Sequence, residues 1–255
     1  MVRARLAGVA MIAAGALAAP AACAEPRDDF LSGRTRVCQE CDLAGANFKR
    51  RDLGGADLTG ANLRGANFHD AQLVGAKLAG ADLTGANLNK ANLAGADLTG
   101  AILREAMLYA AVLDRATLTR ADLTGALMGA ARFTRSDLTG AKLRDADLRK
   151  TRLVETVASG ADLTGAALDG AFVRGARLDH AALAKTRLME AQLIDTTLAG
   201  TDLTAADLRG ATLRGVDLTG ATLTGATLLR ATLDATPLDG AVFGGTTMPD
   251  GTKRP

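Results

Sequence analysis

The amino-acid sequence predicts an all-β solenoid, a chain that winds into stacked coils of short parallel strands. A five-residue unit recurs without insertion from residue 41 to residue 245. Its centre is Leu in 34 of the 41 units and Phe in four, and Ala stands two positions before the centre in 31. A period of five does not place the leucines on one stripe of an α-helix, so the repeat is not α-helical.

The unit Ala81-Asp82-Leu83-Thr84-Gly85 shows how each position is used. In extended backbone, residues two apart point to the same side, so Ala81 and Leu83 share the interior and Asp82 points outward. The last two positions turn the chain, and Gly suits a corner with positive φ. A chain that turns the same way every five residues coils, and its strands pair in parallel about 4.8 Å apart.

The register Ala-(Asp/Asn)-Leu, as in Ala46-Asn47-Phe48, Ala56-Asp57-Leu58 and Ala96-Asp97-Leu98, resembles that of the pentapeptide repeat family over residues 41–245. The resemblance implies a right-handed quadrilateral parallel β-helix with four units per coil. The chain then makes about ten coils, a rod ~48 Å long at ~4.8 Å per coil. Residues four units apart, 20 in sequence, would share one side of the rod.

The first 24 residues have the features of a secretory signal peptide. Arg3 and Arg5 precede an apolar run, and Ala22-Cys23-Ala24 forms a small-x-small cleavage site before Glu25. A membrane anchor is the first alternative, but the apolar run is short for a bilayer. The second is a lipoprotein anchored at Cys23, although Pro20 stands where that motif wants a large aliphatic residue. The sequence therefore predicts a periplasmic or secreted protein with no membrane insertion after cleavage.

Residues 25–40 lack the five-residue unit and are predicted to form an N-terminal cap, because the first coil would otherwise expose leucine and strand edges. Phe30, Leu31 and Val37 are the expected lid residues. Residues 246–255 are expected to form a C-terminal tail that covers the last coil only in part.

Two units depart from the pattern at interior positions. Arg51 replaces the inward Ala and is expected to lean out past the cap. Ala158 replaces the central Leu, which predicts a void, since Leu-to-Ala changes in a core cost about 2–5 kcal/mol. The register resumes unchanged at Leu163, so this unit indicates a soft point and not a domain boundary.

Cys38 and Cys41 fall on inward positions of the first coil, and this Cys-x-x-Cys pair has three interpretations. A thioredoxin-like redox site needs a βαβ context, which the repeat does not supply. A zinc site usually needs two more ligands, and His69 and His180 lie far along the rod. A structural disulfide suits an oxidising compartment and is the predicted state.

The sequence offers no constellation for catalysis, so no enzyme activity, small-molecule substrate or cofactor is predicted. The recurring Asp42, Asp57, Asp82 and Asp97 are expected to bind nearby backbone amides rather than a metal. Two of the 30 basic residues lie in the first 24, which leaves 28 basic against 28 acidic residues in the mature chain. This balance gives no electrostatic reason to bind nucleic acid or an anionic membrane.

The four sides implied by the resemblance differ in composition, and each is named here after one of its centres. The Leu63 side and the Leu58 side, called regular, repeat Asp-Leu-Thr-Gly. The Phe48 side and the Leu53 side, called irregular, carry apolar residues where the repeat expects polar ones. Those residues are Met107, Tyr109, Leu127 and Met189 on the Phe48 side, and Val74, Val112, Phe172 and Ile194 on the Leu53 side.

Apolar groups interspersed with arginine are typical of contact surfaces, so a protein partner is expected near Met107, Tyr109 and Val112. The alternative is that these positions merely tolerate any residue. The predicted function is that of a non-enzymatic exported solenoid, structural or protein-binding, with an unknown envelope partner. Some relatives implied by the resemblance mimic DNA and bind topoisomerases; that function needs an acidic surface and cytoplasmic residence, which this sequence does not favour.

Overall fold

A computed structural model describes residues 24–255. The predicted signal peptide lies outside the described residues except for Ala24. None of the helices in residues 24–255 is long and apolar enough to cross a bilayer. The elements are α1 (Ala24–Ser32), β1 (Phe172–Arg174), β2 (Gln192–Ile194), β3 (Thr212–Arg214), β4 (Thr232–Asp234), β5 (Thr246–Thr247) and β6 (Lys253–Arg254).

The parallel pairing repeats at an interval of 20 residues. Asn62 pairs with Asp82 and Asp82 with Ile102, and the ladder runs in this way from Val37 to Thr247. Strands β1 to β4 form one four-stranded parallel sheet in sequence order, on the Leu53 side. Twenty residues are four units, which confirms the four sides and the parallel pairing of the predicted right-handed quadrilateral parallel β-helix. The pairing also extends past both ends of the repeat at 41–245.

Two kinds of backbone hydrogen bond hold each unit. The amide of Leu83 donates to the carbonyl of Ile102 in the next coil at 2.7 Å, and the amide of Ala86 closes the corner on the carbonyl of Leu83 at 2.9 Å. Gly85, third in that turn, has a φ of 65°, which an L residue adopts only with strain. Other corners nevertheless use L residues, such as Lys90 at 59°.

The interior is a set of Leu and Ala columns that run the length of the rod, almost all fully buried. Threonine can replace the inward alanine because its hydroxyl finds a partner there. The hydroxyls of buried Thr186 and Thr201 donate to the carbonyls of Leu183 and Leu198 at 2.7 and 2.8 Å. A buried hydroxyl without such a bond would be costly, so this bond explains the substitution.

The N-terminal cap is built around helix α1, which the sequence pattern does not predict. Phe30 is 1% exposed and meets the ring of Phe48 edge-on, with ring centroids 5.8 Å apart. Leu31 packs partly buried against the same core. The expectation for Val37 is wrong: this residue is 52% exposed, because it occupies the outward position of a unit that pairs with Asp57.

Arg51 leans out of the interior and contacts the cap. Its guanidinium donates to the carbonyls of Leu31 at 2.9 Å and Phe30 at 3.3 Å, and lies 5.5 Å from the ring centroid of Phe48. A cation is favourable at a helix C-terminus, where carbonyls lack intrahelical partners. The residue that interrupts the repeat therefore joins α1 to the first coils.

The C-terminal end is covered in part. Strand β6 pairs antiparallel with β5, and the guanidinium of Arg254 lies 3.9 Å from the ring centroid of Phe243. Leu233 and Leu238 nevertheless remain only partly buried. The last coil thus keeps some apolar surface open to solvent.

The void predicted at Ala158 is present. A cavity of ≈ 10 Å³ opens beside this residue, with Leu138 and Leu178 of the neighbouring coils among its lining. The pairing of Val157 with Asp137 and Arg177 continues through this coil without a shift of register. The coil therefore tolerates a missing side chain by leaving space and not by changing its path.

Candidate protein-interaction surface

The structure places two of the three predicted contact residues together and the third around a corner. Met107 and Tyr109 lie on the Phe48 side, where Met107 is half-buried and Tyr109 is 57% exposed. Val112 is half-buried on the Leu53 side, beyond the corner formed by Ala110. The two irregular sides meet along this corner, so the three residues flank one edge of the rod.

The next coil extends the apolar surface. Leu127 pairs with Met107 and is 50% exposed. Gly129 stands one coil beyond Tyr109, and a Cβ at Gly129 would lie 3.5 Å from Cδ2 of the tyrosine ring. The ring therefore leans over a position without a side chain. The sequence shows this glycine, but only the structure shows that it accommodates the ring.

These residues line a shallow groove of ≈ 550 Å³ on the Phe48 side. Its apolar floor is closed at both ends by polar groups. The lining residues are Asn89, Met107, Tyr109, Leu127, Gly129, Ala130, Asp147, Arg149 and Lys150.

Hydrogen bonds fix the polar ends of the groove. The amide of Tyr109 donates to Oδ1 of Asn89 at 2.8 Å. Nε and Nη2 of Arg149 donate to the two carboxylate oxygens of Asp147 at 2.8 and 2.5 Å. The bond from Arg149 is the main cause that holds the pKa of Asp147 below its usual range. This end thus carries the ion pair between Arg149 and Asp147. Lys150 beside it is exposed and makes no ion pair within the described residues.

Two further surface grooves lie on the irregular sides. One of ≈ 400 Å³ lies on the Phe48 side and another of ≈ 410 Å³ on the Leu53 side. The first is lined by Met189, Glu190, Arg209, Gly210, Leu229 and Arg230, and the second by Val74, Ala94, Gly95, Asp114, Arg115, Thr134 and Arg135. Both grooves therefore lie on the same two sides as the exposed Tyr109, Leu127 and Val74.

The regular sides satisfy their polar groups internally. On the Leu63 side, Arg104 donates to Asp122 at 2.7 Å, and Asp122 also accepts the hydroxyl of Thr124 at 2.7 Å. Burial raises the pKa of Asp122, but these hydrogen bonds outweigh it and leave the pKa lowered. The same ion pair recurs 40 residues before and after, between Arg64 and Asp82 and between Arg144 and Asp162.

The aspartates of the repeat bind backbone amides, as predicted. The amide of Thr84 donates to Oδ1 of Asp82 and that of Thr99 to Oδ1 of Asp97, both at 2.9 Å. Among residues 24–255, no group of three or more His, Cys, Asp or Glu side chains is placed to hold a metal ion. His69 and His180 stand on different sides, the first half-buried and the second exposed.

Cys38 and Cys41 are both buried in the first coil, 1% and 6% exposed, with their sulfur atoms 2.09 Å apart as in a disulfide. Both face inward, next to the cap formed by α1. Their oxidation state in the cell stays a prediction.

The fold and these surfaces define a solenoid built from five-residue units. The family model described as "Pentapeptide repeats" matches eight copies in residues 41–80, 76–115, 116–153, 159–192, 186–225 and 206–245. The gap between the third and fourth ranges contains Ala158. The chain belongs to the pentapeptide repeat family.

Solved structures place the chain beside other members. HetL of the cyanobacterium Nostoc sp. strain PCC 7120, a pentapeptide repeat protein involved in heterocyst differentiation regulation, is 33% identical at a TM-score of 0.55. The match covers 91% of this chain and 98% of HetL.

Two further matches are more distant in structure. A pentapeptide repeat protein of the Arabidopsis thaliana thylakoid lumen is 34% identical over 45% of this chain and 74% of its own, at a TM-score of 0.36. QnrB1, a plasmid-mediated fluoroquinolone resistance protein, is 19% identical over 68% of this chain and 91% of its own, at a TM-score of 0.45. No curated protein sequence matches the chain.

Proposed function

We propose that this chain is an exported, non-enzymatic solenoid that binds a protein partner in the cell envelope through the groove at Met107, Tyr109 and Leu127. The observation that carries the proposal is the exposure of Tyr109 and Leu127 side by side in the middle of the rod. Aromatic and aliphatic groups of this kind, in a groove with polar ends, anchor protein interfaces.

The position of the apolar surface supports a binding role over mere tolerance of substitution. Six large apolar residues are exposed among the residues that the structure describes. Val37 lies in the first coil, and Leu229 and Val242 lie in the last, where coverage ends. The other three, Val74, Tyr109 and Leu127, all lie on the irregular sides. Their confinement to two adjacent sides out of four favours a binding surface over random tolerance.

Export is proposed from residues 1–24 alone, because the described residues do not include them apart from Ala24. An oxidising compartment would suit the buried cysteine pair. Cell fractionation followed by N-terminal sequencing tests this part: a mature chain in the envelope or medium that starts at Glu25 supports it. A start at Met1 or Val2 contradicts it, and a lipidated start at Cys23 favours the anchored alternative.

Capture from the envelope fraction by the full-length tagged protein tests the binding role. The double variant Tyr109→Ala with Met107→Ser should bind the partner about 30-fold more weakly and recover correspondingly less of it, since truncation of an interface anchor costs ~2 kcal/mol. Both residues lie outside the Leu and Ala columns, so the melting temperature should not change. The matched control changes Thr59 and Thr99 on a regular side to Ala. If the control loses capture and the groove variant does not, the interface lies on a regular side and the proposed groove is wrong.

A further inference from the structure

Resting on the proposed function, we infer that the partner presents an acidic segment with an apolar centre, which docks along the corner between the two irregular sides, between Lys90 and Lys150. Three observations carry this inference: the distribution of charge around the rod, the charges left outside ion pairs, and the place of the exposed apolar residues.

The rod is neutral overall but polarised across its axis. Over residues 41–245 the two irregular sides carry 15 basic and 10 acidic residues, and the two regular sides carry 8 basic and 13 acidic. Irregular sides adjoin each other, as do regular sides, so one half of the surface is basic and the opposite half acidic. A neutral total thus hides a basic half that attracts an acidic partner.

Ion pairs do not remove this asymmetry. Among charged residues of 41–245 outside any ion pair in the described chain, the irregular sides keep mostly basic ones and the regular sides mostly acidic ones. The unpaired basic residues of the irregular sides, apart from Arg51 in the cap, are Lys49, Lys90, Arg115, Lys150, Arg152, Arg174, Arg214 and Arg230, against the acidic Glu190, Asp195 and Asp234.

The corner sets the distance that must separate the charged groups of the partner segment. Lys90, Ala110, Ala130 and Lys150 follow one another at intervals of one coil, so the two lysines lie about 14 Å apart at ~4.8 Å per coil. Both lysines are exposed, and the apolar groove at Tyr109 lies between them. An extended segment of about five residues spans this distance at ~3.3 Å per residue. Its ends would offer carboxylates to the lysines and its middle an apolar side chain to the groove.

A second copy of this chain fits less well. Its acidic half would complement the charge, but that half has no large exposed apolar residue between the end coils, where only Val37 and Val242 occur within the described residues. The groove at Tyr109 and Leu127 would meet threonine and glycine. A different protein, acidic and apolar in the same segment, satisfies both features.

Selection of short peptides from a random display library on the full-length protein tests the inference. Peptides in which one or two apolar residues are flanked by Asp or Glu should be enriched. Their affinity, measured with the labelled synthetic peptide, should fall about tenfold or more in Lys90→Glu with Lys150→Glu, because close charge pairs at interfaces couple by ~1.5 kcal/mol or more. It should also fall in Tyr109→Ala with Leu127→Ser.

The control is Lys142→Glu with Lys185→Glu, two exposed lysines on the Leu63 side, which changes the net charge equally and should leave affinity unchanged. Enrichment of basic or uncharged peptides, no enrichment, or equal binding by the reversed-charge variant overturns the inference. Binding of a duplex DNA or an anionic vesicle through the same lysines, without acidic peptides, also overturns it. Envelope capture that needs Tyr109 but not the lysines would overturn the acidic partner and keep the proposed function.

Discussion

Nη1 of Arg51 donates a hydrogen bond to the carbonyl oxygen of Leu31 at 2.9 Å, and this contact joins a helix to a solenoid that contains no other helix in the described chain. A nine-residue helix is marginal alone, since nucleation outweighs the few bonds that follow. The stability of α1 therefore depends on Phe30 and on this arginine.

Replacing Arg51 with Ala restores the residue that the repeat prefers and still should loosen the cap. Loss of charge-assisted bonds to the two carbonyls should cost about 1.5–3 kcal/mol, confined to the cap. Hydrogen exchange should quicken in residues 28–36 and stay unchanged beyond residue 100. Arg50→Ala, which removes an exposed ion pair with Asp70, is the control and should have little effect. Unchanged exchange in the cap would show that contacts other than those of Arg51 hold α1.

Replacing Ala158 with Leu should stabilise the protein. The cavity beside Ala158 is lined by leucines, and filling such a space commonly adds about 0.5–2 kcal/mol. The denaturation midpoint in guanidinium should rise. The companion variant Leu138→Ala enlarges the same space and should lower the midpoint, with a loss of about 2–5 kcal/mol in the free energy of unfolding. A lower midpoint for Ala158→Leu would mean that the coil has already closed on the smaller residue.

The disulfide between Cys38 and Cys41 should have a small effect on stability, because it closes a very short loop. Reduction, or the double replacement by Ala, should cost about 2 kcal/mol or less. Mass spectrometry of the unreduced protein should show no free thiol at these positions. Two free thiols, or a bound zinc ion, would contradict the predicted state.

Stability should fall on acidification, through carboxylates whose pKa is lowered in the folded chain. For Asp122, burial alone would raise the pKa, but the bonds from Thr124 and Arg104 lower it overall. A lowered folded pKa means that the unfolded chain takes up the proton first, so this stabilisation is present above the ordinary Asp pKa, about 3.9, and is lost as pH falls through the folded value.

The variant Asp122→Asn tests that origin. At pH 7 it should be less stable by about 1.5–3 kcal/mol, and its melting temperature should fall less than that of the wild type between about pH 6 and pH 3. Asp42→Asn is the comparison, since Asp42 is exposed in the first coil and its carboxylate accepts no bond from an arginine side chain within residues 24–255. Parallel pH profiles for wild type and Asp122→Asn would assign the acid sensitivity to other groups.

The repeat can be predicted from the sequence because the five residues of each unit determine which side chains point inward. Ala81 and Leu83 point inward for a reason that lies within five residues, and the 20-residue register then follows from the four-sided family fold. The cap cannot be predicted in this way, because α1 is stabilised by contacts with Phe48 and Arg51 and not by a periodic pattern of its own. The wrong expectation for Val37 has a related cause. This residue already occupies an outward position of the repeat, but its apolar side chain suggested a buried one.

The interaction surface is predictable in part. Spacing by 20 residues is enough to place Met107, Tyr109 and Leu127 on one side. It does not show that Gly129 accommodates the tyrosine ring, since the absence of a side chain carries no signal about what leans over it. Nor does it show which charges cancel, because ion pairs such as Arg104 with Asp122 form between coils, 18 residues apart.

The uninterrupted 20-residue register makes the rod sensitive to length in quarter turns. Deleting residues 76–95 removes one whole coil, shortens the rod by about 4.8 Å and leaves every later side facing the same direction relative to α1. Deleting residues 76–80 alone removes one corner and rotates everything beyond it by about a quarter turn, so that the groove at Tyr109 faces a different direction from the cap. Whole-coil insertions or deletions therefore change the length of this rod without turning its sides, whereas a single five-residue deletion turns the groove away from its direction relative to the cap.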